Sequence, residues 1–540
     1  MPPRFRRPEP MTTFELVPDD EPEDMSGSAA DDAEPGPRLL SRLRERGRAR
    51  WRTLSRRGRA AVAAGTAVVV VAAATAVVAP GLLDARAERL RAEAVQGLPG
   101  AVGNLSEPLA ETWDLANASG ALVALSGGTL LTTDATSVSA LDAGTGEEVW
   151  HREIGTYPTC GPQEGYPIDL GPPADVVVCL SGDGDDRTVT VLDATGTVVG
   201  ERSIGPARAD PYDDGTGATP GEAPVVVPAG GGALAVVEGI TDTSAPWPSD
   251  DLPDADTLGR LRADGWEDPT LRVEDALTGE LRGEASLQLR PQDLAQCGMT
   301  QDQGSDPELI LSPSVSATSS LVTLSVCGAA VLVTSDGVVV DTGSGGAWAR
   351  PLPGGGTVVV GEESTVLGRD GDVVTTLPGF LIPPTVDDDP DGPYLVLAGA
   401  GTAGGQFRLA AVGADGDEAW SAPVPEPGGV LARVSGVVVV QDGDALVALD
   451  AATGTEVWVR EDLLRPSGYG SGDWVAGAVT DGTRLLVGIG GDGARHRLVT
   501  LDLRDGSTVW QREGQGYLER LQSVDGHVVA AYDGVPHGLG

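Results

Sequence analysis

The chain has 540 residues, of which 40% are hydrophobic and 4% aromatic, and its 80 acidic residues against 37 Arg give a formal net charge of −43. This acidity excludes a nucleic-acid-binding surface over most of the protein, because affinity for DNA depends on Lys and Arg that meet phosphates. The absence of Lys excludes Schiff-base and P-loop chemistry, and Asn104 and Asn117 are the only Asn in the chain.

Residues 1–59 consist of two blocks of opposite charge. Residues 1–37 contain ten acidic residues and three Arg, a composition typical of disordered, solvated chain. Residues 38–59 contain ten Arg and the single acid Glu45. We interpret residues 1–59 as a disordered cytoplasmic tail that is first acidic and then Arg-rich.

Residues 60–80 predict a single transmembrane helix. The twenty residues 60–79 carry no charge, and a helix of about twenty residues crosses the hydrocarbon layer. A buried core helix is seldom apolar on every side, and a cleaved signal peptide seldom follows so long a leader. The Arg block before the span places the N-terminus in the cytoplasm, where it meets anionic headgroups, and the rest of the chain outside. Residues 81–111, with Arg and Glu at helical spacing, are then expected to form an extracytoplasmic stalk.

Four cysteines lie in the external part of the chain: Cys160, Cys179, Cys297 and Cys327. An even number in an oxidising compartment predicts two disulfides. Three pairings are possible, and the pairing of neighbours, Cys160 with Cys179 and Cys297 with Cys327, is favoured because each closes a short loop. No CxxC is present, so that neither a thiol-redox motif nor a zinc site is expected.

A sixteen-residue phrase recurs through residues 112–540: VSALDAGTGEEVWHRE at 138–153, LVALDAATGTEVWVRE at 446–461 and LVTLDLRDGSTVWQRE at 498–513. In each copy, the alternating aliphatic residues before Asp predict a strand, and Asp-x-x-x-Gly predicts a tight turn. The stretch from this turn to Trp predicts the next strand. Weaker copies lie at 188–203, 270–285, 329–343, 364–379 and 408–423. The motif positions expected to be structural are Asp142, Gly146, Trp150, Asp450, Gly454, Trp458, Asp502, Gly506 and Trp510.

The spacing of about forty to fifty residues between successive turns predicts an all-β propeller of four-stranded blades. An antiparallel sandwich is the alternative, but it gives no reason for a repeated phrase. Residues 111–115 and 518–533 predict a closing blade shared by the two ends of this region. Eight copies and a closing blade would make nine, above the usual range, so we expect eight blades, with seven as the alternative.

The phrase LVALDAATGTEVW resembles the repeat of the pyrroloquinoline-quinone (PQQ)-like, or BamB-like, propeller family, and the resemblance covers about residues 112–535. The family includes quinoprotein alcohol dehydrogenases, non-enzymatic BamB-type lipoproteins and propeller sensor domains. The quinoproteins hold calcium and the quinone with Glu, Asn and Asp and often a ring of vicinal cysteines. This chain has no adjacent cysteines, no CxxCH haem motif and no Asn beyond the start of the propeller. Its composition and its lack of a lipobox are more similar to those of an actinobacterial envelope protein than of a BamB lipoprotein.

Other chemistry is not indicated. The four histidines, His151, His496, His527 and His537, form no metal-binding motif. Acidic loops at 183–186, 210–214, 250–256 and 387–391 offer oxygen ligands that calcium prefers, but solvated loops are the expected interpretation in so acidic a chain.

We therefore predict no catalytic residue, metal or cofactor. The predicted function is that of a non-enzymatic, membrane-anchored propeller that acts outside the cell as a protein- or ligand-binding scaffold or sensor at the envelope. A quinone-dependent oxidoreductase with altered cofactor ligands is the alternative.

Overall fold

The computed structural model describes residues 86–540 except 116–121, 163–170, 183–186, 206–223, 240–242, 247–254, 264, 301–307, 312, 341–347, 353–355, 362, 369, 400–406, 466–471 and 492–494. Within this part of the chain, no helix is long and apolar enough to cross a membrane. The predicted tail, 1–59, and the predicted transmembrane segment, 60–80, lie outside the described residues.

The described residues form nine four-stranded antiparallel blades, which follow one another along the chain as in a β-propeller. The expectation of eight or seven blades is therefore wrong. It discounted one of the weak copies of the phrase, yet even the faintest copies, at 329–343 and 364–379, each supply two paired strands of a blade. A strand needs only alternating aliphatic residues, so a copy can lose its Trp and still form a blade.

The strands of each blade are given from the innermost to the outermost. Blade 1 has β2 (Leu122–Leu125), β3 (Thr129–Thr133), β4 (Ser137–Asp142) and β5 (Glu148–Glu153). Blade 2 has β6 (Thr159–Gly161), β7 (Val176–Ser181), β8 (Arg187–Asp193) and β9 (Val198–Gly205). Blade 3 has β10 (Val225–Ala229), β11 (Ala233–Glu238), β13 (Thr270–Asp275) and β14 (Leu281–Ser286).

The next three blades continue in the same order. Blade 4 has β17 (Ser314–Ala317), β18 (Leu321–Val326), β19 (Ala329–Thr334) and β20 (Val339–Val340). Blade 5 has β21 (Trp348–Pro351), β22 (Thr357–Val360), β23 (Ser364–Leu367) and β24 (Val373–Leu377). Blade 6 has β25 (Phe380–Leu381), β27 (Tyr394–Ala398), β28 (Arg408–Val412) and β29 (Glu418–Pro423).

The last three blades complete the ring. Blade 7 has β30 (Pro427–Val434), β31 (Val437–Asp442), β32 (Ala445–Asp450) and β33 (Glu456–Arg460), with β26 (Val386–Asp387) added parallel to β30. Blade 8 has β34 (Trp474–Thr480), β35 (Arg484–Gly491), β36 (Arg495–Asp502) and β37 (Thr508–Gln515). Blade 9 has β38 (Leu518–Val524), β39 (His527–Tyr532), β40 (Val535–Leu539) and β1 (Glu111–Asp114).

Blade 9 closes the ring with strands from both ends of the propeller region, as expected. β1 pairs antiparallel with β40, where Trp113 lies opposite Gly538. The pairing is extended by Ala110, whose N–H donates to the carbonyl of Gly540 at 2.8 Å and whose carbonyl accepts from the Gly540 N–H at 2.9 Å. This closure satisfies two strand edges that would otherwise be open.

The antiparallel strands give the propeller two distinct faces. In each blade, the connection from first to second strand and the turn from third to fourth strand lie at the same end, which we call the turn face. The connection from second to third strand and the link to the next blade lie on the opposite face. The repeated Asp-x-x-x-Gly turns therefore all lie on the turn face.

In blades 1, 7 and 8 the outermost strand exposes an aliphatic side chain shortly after this turn. Val149 in β5 is 56% exposed, Val457 in β33 is 44% exposed and Val509 in β37 is 39% exposed. The next residue in each of these strands is the motif Trp. Because successive side chains of a strand point to opposite faces, the Val meets solvent while the Trp turns towards the neighbouring blade.

The segment expected to be a free stalk packs against the turn face. Residues 86–95 form helix α1, and residues 98–109, which we call the strap, cross blades 8 and 9. Val95 and Leu105 are each only 1% exposed. The Val102 N–H donates to the carbonyl of Thr480 at 2.8 Å, so that the strap is hydrogen-bonded to a blade as well as packed on it. Residues 86–109 are therefore part of the propeller body.

A small unit of short helices and strands lies beside blades 3 and 4. It contains α2 (Ala255–Ala263), β12 (Thr243–Pro246), β15 (Gly298–Thr300), β16 (Glu308–Leu311) and the 3₁₀ helix Asp293–Gln296. Leu258, Leu261 and Trp266 pack in one core with side chains of the two blades. The unit is thereby fixed to the ring.

Both disulfides join neighbouring cysteines in the sequence, as favoured above. Cys160–Cys179 connects directly opposed residues of β6 and β7. Cys297–Cys327 connects the small unit to the turn between β18 and β19 across a separation of 30 residues. The first bond reinforces strands that are already paired, whereas the second anchors an insertion.

Candidate functional site

The Asp of the repeated motif holds its own turn together. Asp142 Oδ1 accepts hydrogen bonds from the backbone N–H groups of Gly144 at 3.0 Å and Thr145 at 2.8 Å. Asp450 Oδ1 accepts from the Thr453 N–H at 2.9 Å and from the Thr453 hydroxyl at 2.8 Å. These bonds favour the carboxylate and lower the pKa of both aspartates. Asp502 accepts in the same way from the Arg504 N–H at 2.8 Å.

The motif Trp and Gly meet across the boundary between two blades. The Trp458 ring lies on Gly506 of blade 8, and its Nε1–H donates to the carbonyl of Leu503 at 3.0 Å. Trp150 lies on Gly196 of blade 2 in the same manner. Gly146 and Gly454 receive the rings of the preceding blades, Trp113 and Trp420. Each ring fills space that a Cβ on the Gly would occupy, which explains why the turn requires Gly there.

An Arg two residues after the Trp makes a second contact with the next blade. Arg152 Nε donates to the carbonyl of Gly196 at 2.9 Å, and Arg460 Nη1 donates to the carbonyl of Gly506 at 2.5 Å. This Arg recurs in the phrases that end in WHRE, WVRE and WQRE, and no role was predicted for it. Its constant distance from Trp in three copies was the available signal.

Blade 8 uses the same two side chains to hold the strap. Trp510 Nε1–H donates to the carbonyl of Leu105 at 2.8 Å, and Arg512 Nη1 donates to the carbonyl of Leu109 at 2.6 Å. Blade 9 has no turn between its third and fourth strands, because these strands, β40 and β1, are not consecutive in the chain. The strap therefore supplies the carbonyls that a turn supplies elsewhere.

The acidic loop at 387–391 is occupied by internal contacts. Asp387 forms a bidentate ion pair with Arg433, at 2.7 Å from Nε to Oδ1 and 2.5 Å from Nη2 to Oδ2. Asp388 accepts from the Ser435 N–H at 2.6 Å, and burial raises the pKa of this carboxyl. In the part of the chain that is described, no group of three or more His, Cys, Asp or Glu is placed to hold a metal. The loops at 183–186 and 210–214 and most of 250–256 lie outside that part.

A cavity of about 300 Å³ lies on the turn face between blades 5 and 6, and we call it the interblade pocket. Its apolar walls comprise Leu352, Val366, Leu367, Val374, Leu381, Ile382 and Leu395. Four prolines of one connection also line it: Pro383, Pro384, Pro390 and Pro393. Its size and apolar lining are typical of pockets that bind a small ligand or a side chain.

The connection that forms one wall of the pocket is held rigidly. Its prolines have fixed φ angles, which reduces the entropy that ordering would cost. Arg433, whose side chain is 7% exposed, donates to the carbonyls of Pro393 and Asp389 in addition to Asp387. The wall is therefore formed before any ligand arrives.

The charge at the mouth of the pocket is negative. Asp391 lines the pocket and is exposed, and the exposed Asp389, Asp370 and Asp372 lie in the two connections that contribute other lining residues. Arg433 is the one cation among the described residues that line the pocket, and its charge is neutralised by Asp387. The rim thus favours a ligand that carries positive charge next to an apolar group.

Two of the four histidines come together on the opposite face. His496 stacks on Tyr532 with ring centroids 4.3 Å apart, and His537 meets the same ring edge-on at 4.9 Å. They line a cavity of about 400 Å³ between blades 8 and 9. Burial lowers the pKa of His496 and raises the pKa of Tyr532 to about 12, because it disfavours the charged form of each. The other two histidines lie elsewhere, on β5 and at the start of β39.

Comparisons with known proteins found one matching family model and solved structures that are similar to the chain. Residues 391–535 match the family described as outer membrane protein assembly factor BamB, and no curated protein matches the chain. BamB from Moraxella catarrhalis is 14% identical, with 80% of this chain and 99% of that chain covered and a TM-score of 0.37. Quinohemoprotein alcohol dehydrogenase from Comamonas testosteroni is 12% identical, with 80% of this chain and 76% of that chain covered and a TM-score of 0.29. Sqt1 from Saccharomyces cerevisiae is 9% identical, with 80% of this chain and 99% of that chain covered and a TM-score of 0.35.

The described part of the chain is an all-β, nine-bladed propeller. The repeats within residues 391–535 match the BamB-like model of the PQQ-like propeller family, which confirms the resemblance for that part of the chain. At identities of 9–14% the likeness to solved structures assigns no activity.

Proposed function

We propose that the protein is a non-enzymatic scaffold or sensor that is anchored in the cell membrane and binds a protein partner on the turn face outside the cell. The observation that carries this proposal is the combination of a ring locked at its blade boundaries with a preformed pocket on its turn face. A rigid frame that presents connecting segments is suited to recognition. The predicted span at 60–80 and the Arg block before it would supply the anchor.

The partner is sought with the full-length chain in its own membrane. Photo-crosslinkers placed on the turn face are compared with crosslinkers at exposed positions of the opposite face, such as Asp444. The proposal predicts one defined crosslinked protein from the turn face, identified by mass spectrometry. Equal labelling from both faces would contradict it.

The oxidoreductase alternative is tested directly on the same protein. PQQ and calcium are added to the full-length chain, and thermal stability and dye reduction are measured. The scaffold proposal predicts no stabilisation and no activity, whereas quinone-dependent turnover would replace it.

A further inference from the structure

The interblade pocket combines two features that select its occupant. Its apolar walls come from two blades, and the Arg433–Asp387 pair, which has no net charge, also lines it. The exposed Asp391 also lines it, and the exposed Asp389 precedes the lining residue Pro390. An apolar group loses its contact with water in such a cavity, while a cation at the mouth lies near exposed carboxylates.

The apolar lining reaches the protein surface at the start of β24. Val374, which lines the pocket, is 54% exposed, and its neighbour Val373 is 64% exposed. Val374 thus carries the apolar lining to the open side of the cavity, where a polypeptide segment that crosses the rim would cover it. A compact small molecule would cover only the cavity.

We propose that the interblade pocket binds an extended segment of a partner protein that inserts an aliphatic or aromatic side chain beside an arginine or lysine. The inserted side chain contacts Val366, Leu381 and Val374, and the neighbouring cation lies against Asp391. This inference rests on the proposed function and names the chemistry that the turn face recognises.

Binding is measured by fluorescence polarisation with the full-length chain in detergent micelles. The probes are short capped peptides that contain leucine followed by arginine, leucine followed by glutamate, or serine followed by arginine. The first peptide should bind at least about tenfold more tightly than either of the others, because each of the others lacks one half of the recognition. Equal binding of the glutamate peptide would overturn the charge requirement, and equal binding of the serine peptide would overturn the apolar one.

Two pairs of variants locate the binding. Val374→Ser should weaken binding of the leucine–arginine peptide by about fivefold, because part of an apolar wall is lost. Val149→Ser is the matched control, since Val149 occupies the same strand position in blade 1 and is 56% exposed. Asp391→Asn should weaken binding by about threefold and reduce its dependence on salt, whereas Asp444→Asn on the opposite face should not. Unchanged binding by V374S, or equal loss in V149S, would overturn the assignment of the pocket.

The crosslinking experiment separates this inference from the proposed function. If V374S keeps the crosslinked partner of the wild-type protein at full yield, the pocket is not its binding site and the inference fails while the scaffold function stands. If the wild-type turn face yields no defined partner, the proposed function itself fails. Loss of the crosslink in V374S together with its retention in V149S supports both.

Discussion

Replacing Gly506 by Ala should uncouple blades 7 and 8 at their shared boundary. Gly506 has a φ of +69°, and an added Cβ would lie 2.7 Å from Cδ2 of Trp458. The left-handed backbone costs an L-residue about 1–2 kcal/mol. The clash adds about 1–3 kcal/mol, because the ring is packed and hydrogen-bonded to Leu503.

Gly416 provides a matched control for the backbone cost. It has a φ of +86° in the equivalent turn of blade 6, and nothing lies within 4 Å of an added Cβ. Blade 5 has no Trp to place there, since β24 reads VVTTL. Gly416→Ala therefore measures the backbone strain alone, and the difference of about 1–3 kcal/mol between the two variants measures the contact with Trp458.

Hydrogen exchange followed by mass spectrometry is the appropriate assay, because a ring of nine blades need not unfold in a single transition. A local loss of about 1.4 kcal/mol raises the exchange rate about tenfold. Faster exchange is expected in β33 and in the turn before β37 for G506A, and only around the blade 6 turn for G416A. If the two variants lose stability equally, Trp458 docking contributes nothing and the reasoning is refuted.

Three further results are expected. Changing Cys297 and Cys327 together to Ser removes a disulfide whose loop closure stabilises the fold by about 3–4 kcal/mol. The rate of hydrogen exchange should therefore rise in β12, β15 and β16. A rise confined to blade 2 would contradict this. Burial lowers the pKa of His496, so the unfolded chain binds the extra proton and stability falls as the pH drops below the usual value of 6.5. The thermal midpoint of His496→Gln should therefore fall less than that of the wild type between about pH 7 and about pH 5, and identical profiles would refute that role. Leu105→Ala removes a side chain that is 1% exposed and should cost about 2–5 kcal/mol, with faster exchange in both β1 and β37; an effect limited to α1 would show that the strap does not complete blade 9.

The elements that could be predicted from the sequence are those with local causes. Alternating aliphatic residues and Asp-x-x-x-Gly turns define a strand, a turn and a strand within sixteen residues, so the blades and the closing strand β1 were recognisable. The disulfide pairing was also favoured correctly, because short loops bring neighbours together. The number of blades was predicted wrongly, because copies of the phrase without Trp still form paired strands.

The features that were missed depend on contacts between distant residues. Trp458 and Gly506 belong to different copies of the phrase, so their contact required the order of blades in space. The strap carries no repeat signal, and its role follows from the absence of a turn in blade 9. The pocket was missed because its wall was interpreted as a solvated acidic loop; the ion pair between Asp387 and Arg433 spans 46 positions in the chain.

The valines exposed after each motif turn have a consequence for how copies of the protein behave in solution. Val149 and Val457 lie on the outermost strand of a blade, whose free edge is able to pair with a strand of another molecule. Glu148 and Glu456 directly precede them and are exposed. Mutual repulsion of these carboxylates keeps the edges of separate molecules apart. As the pH approaches the isoelectric point of about 4.2, this repulsion fades and the ring of edges becomes a surface for self-association.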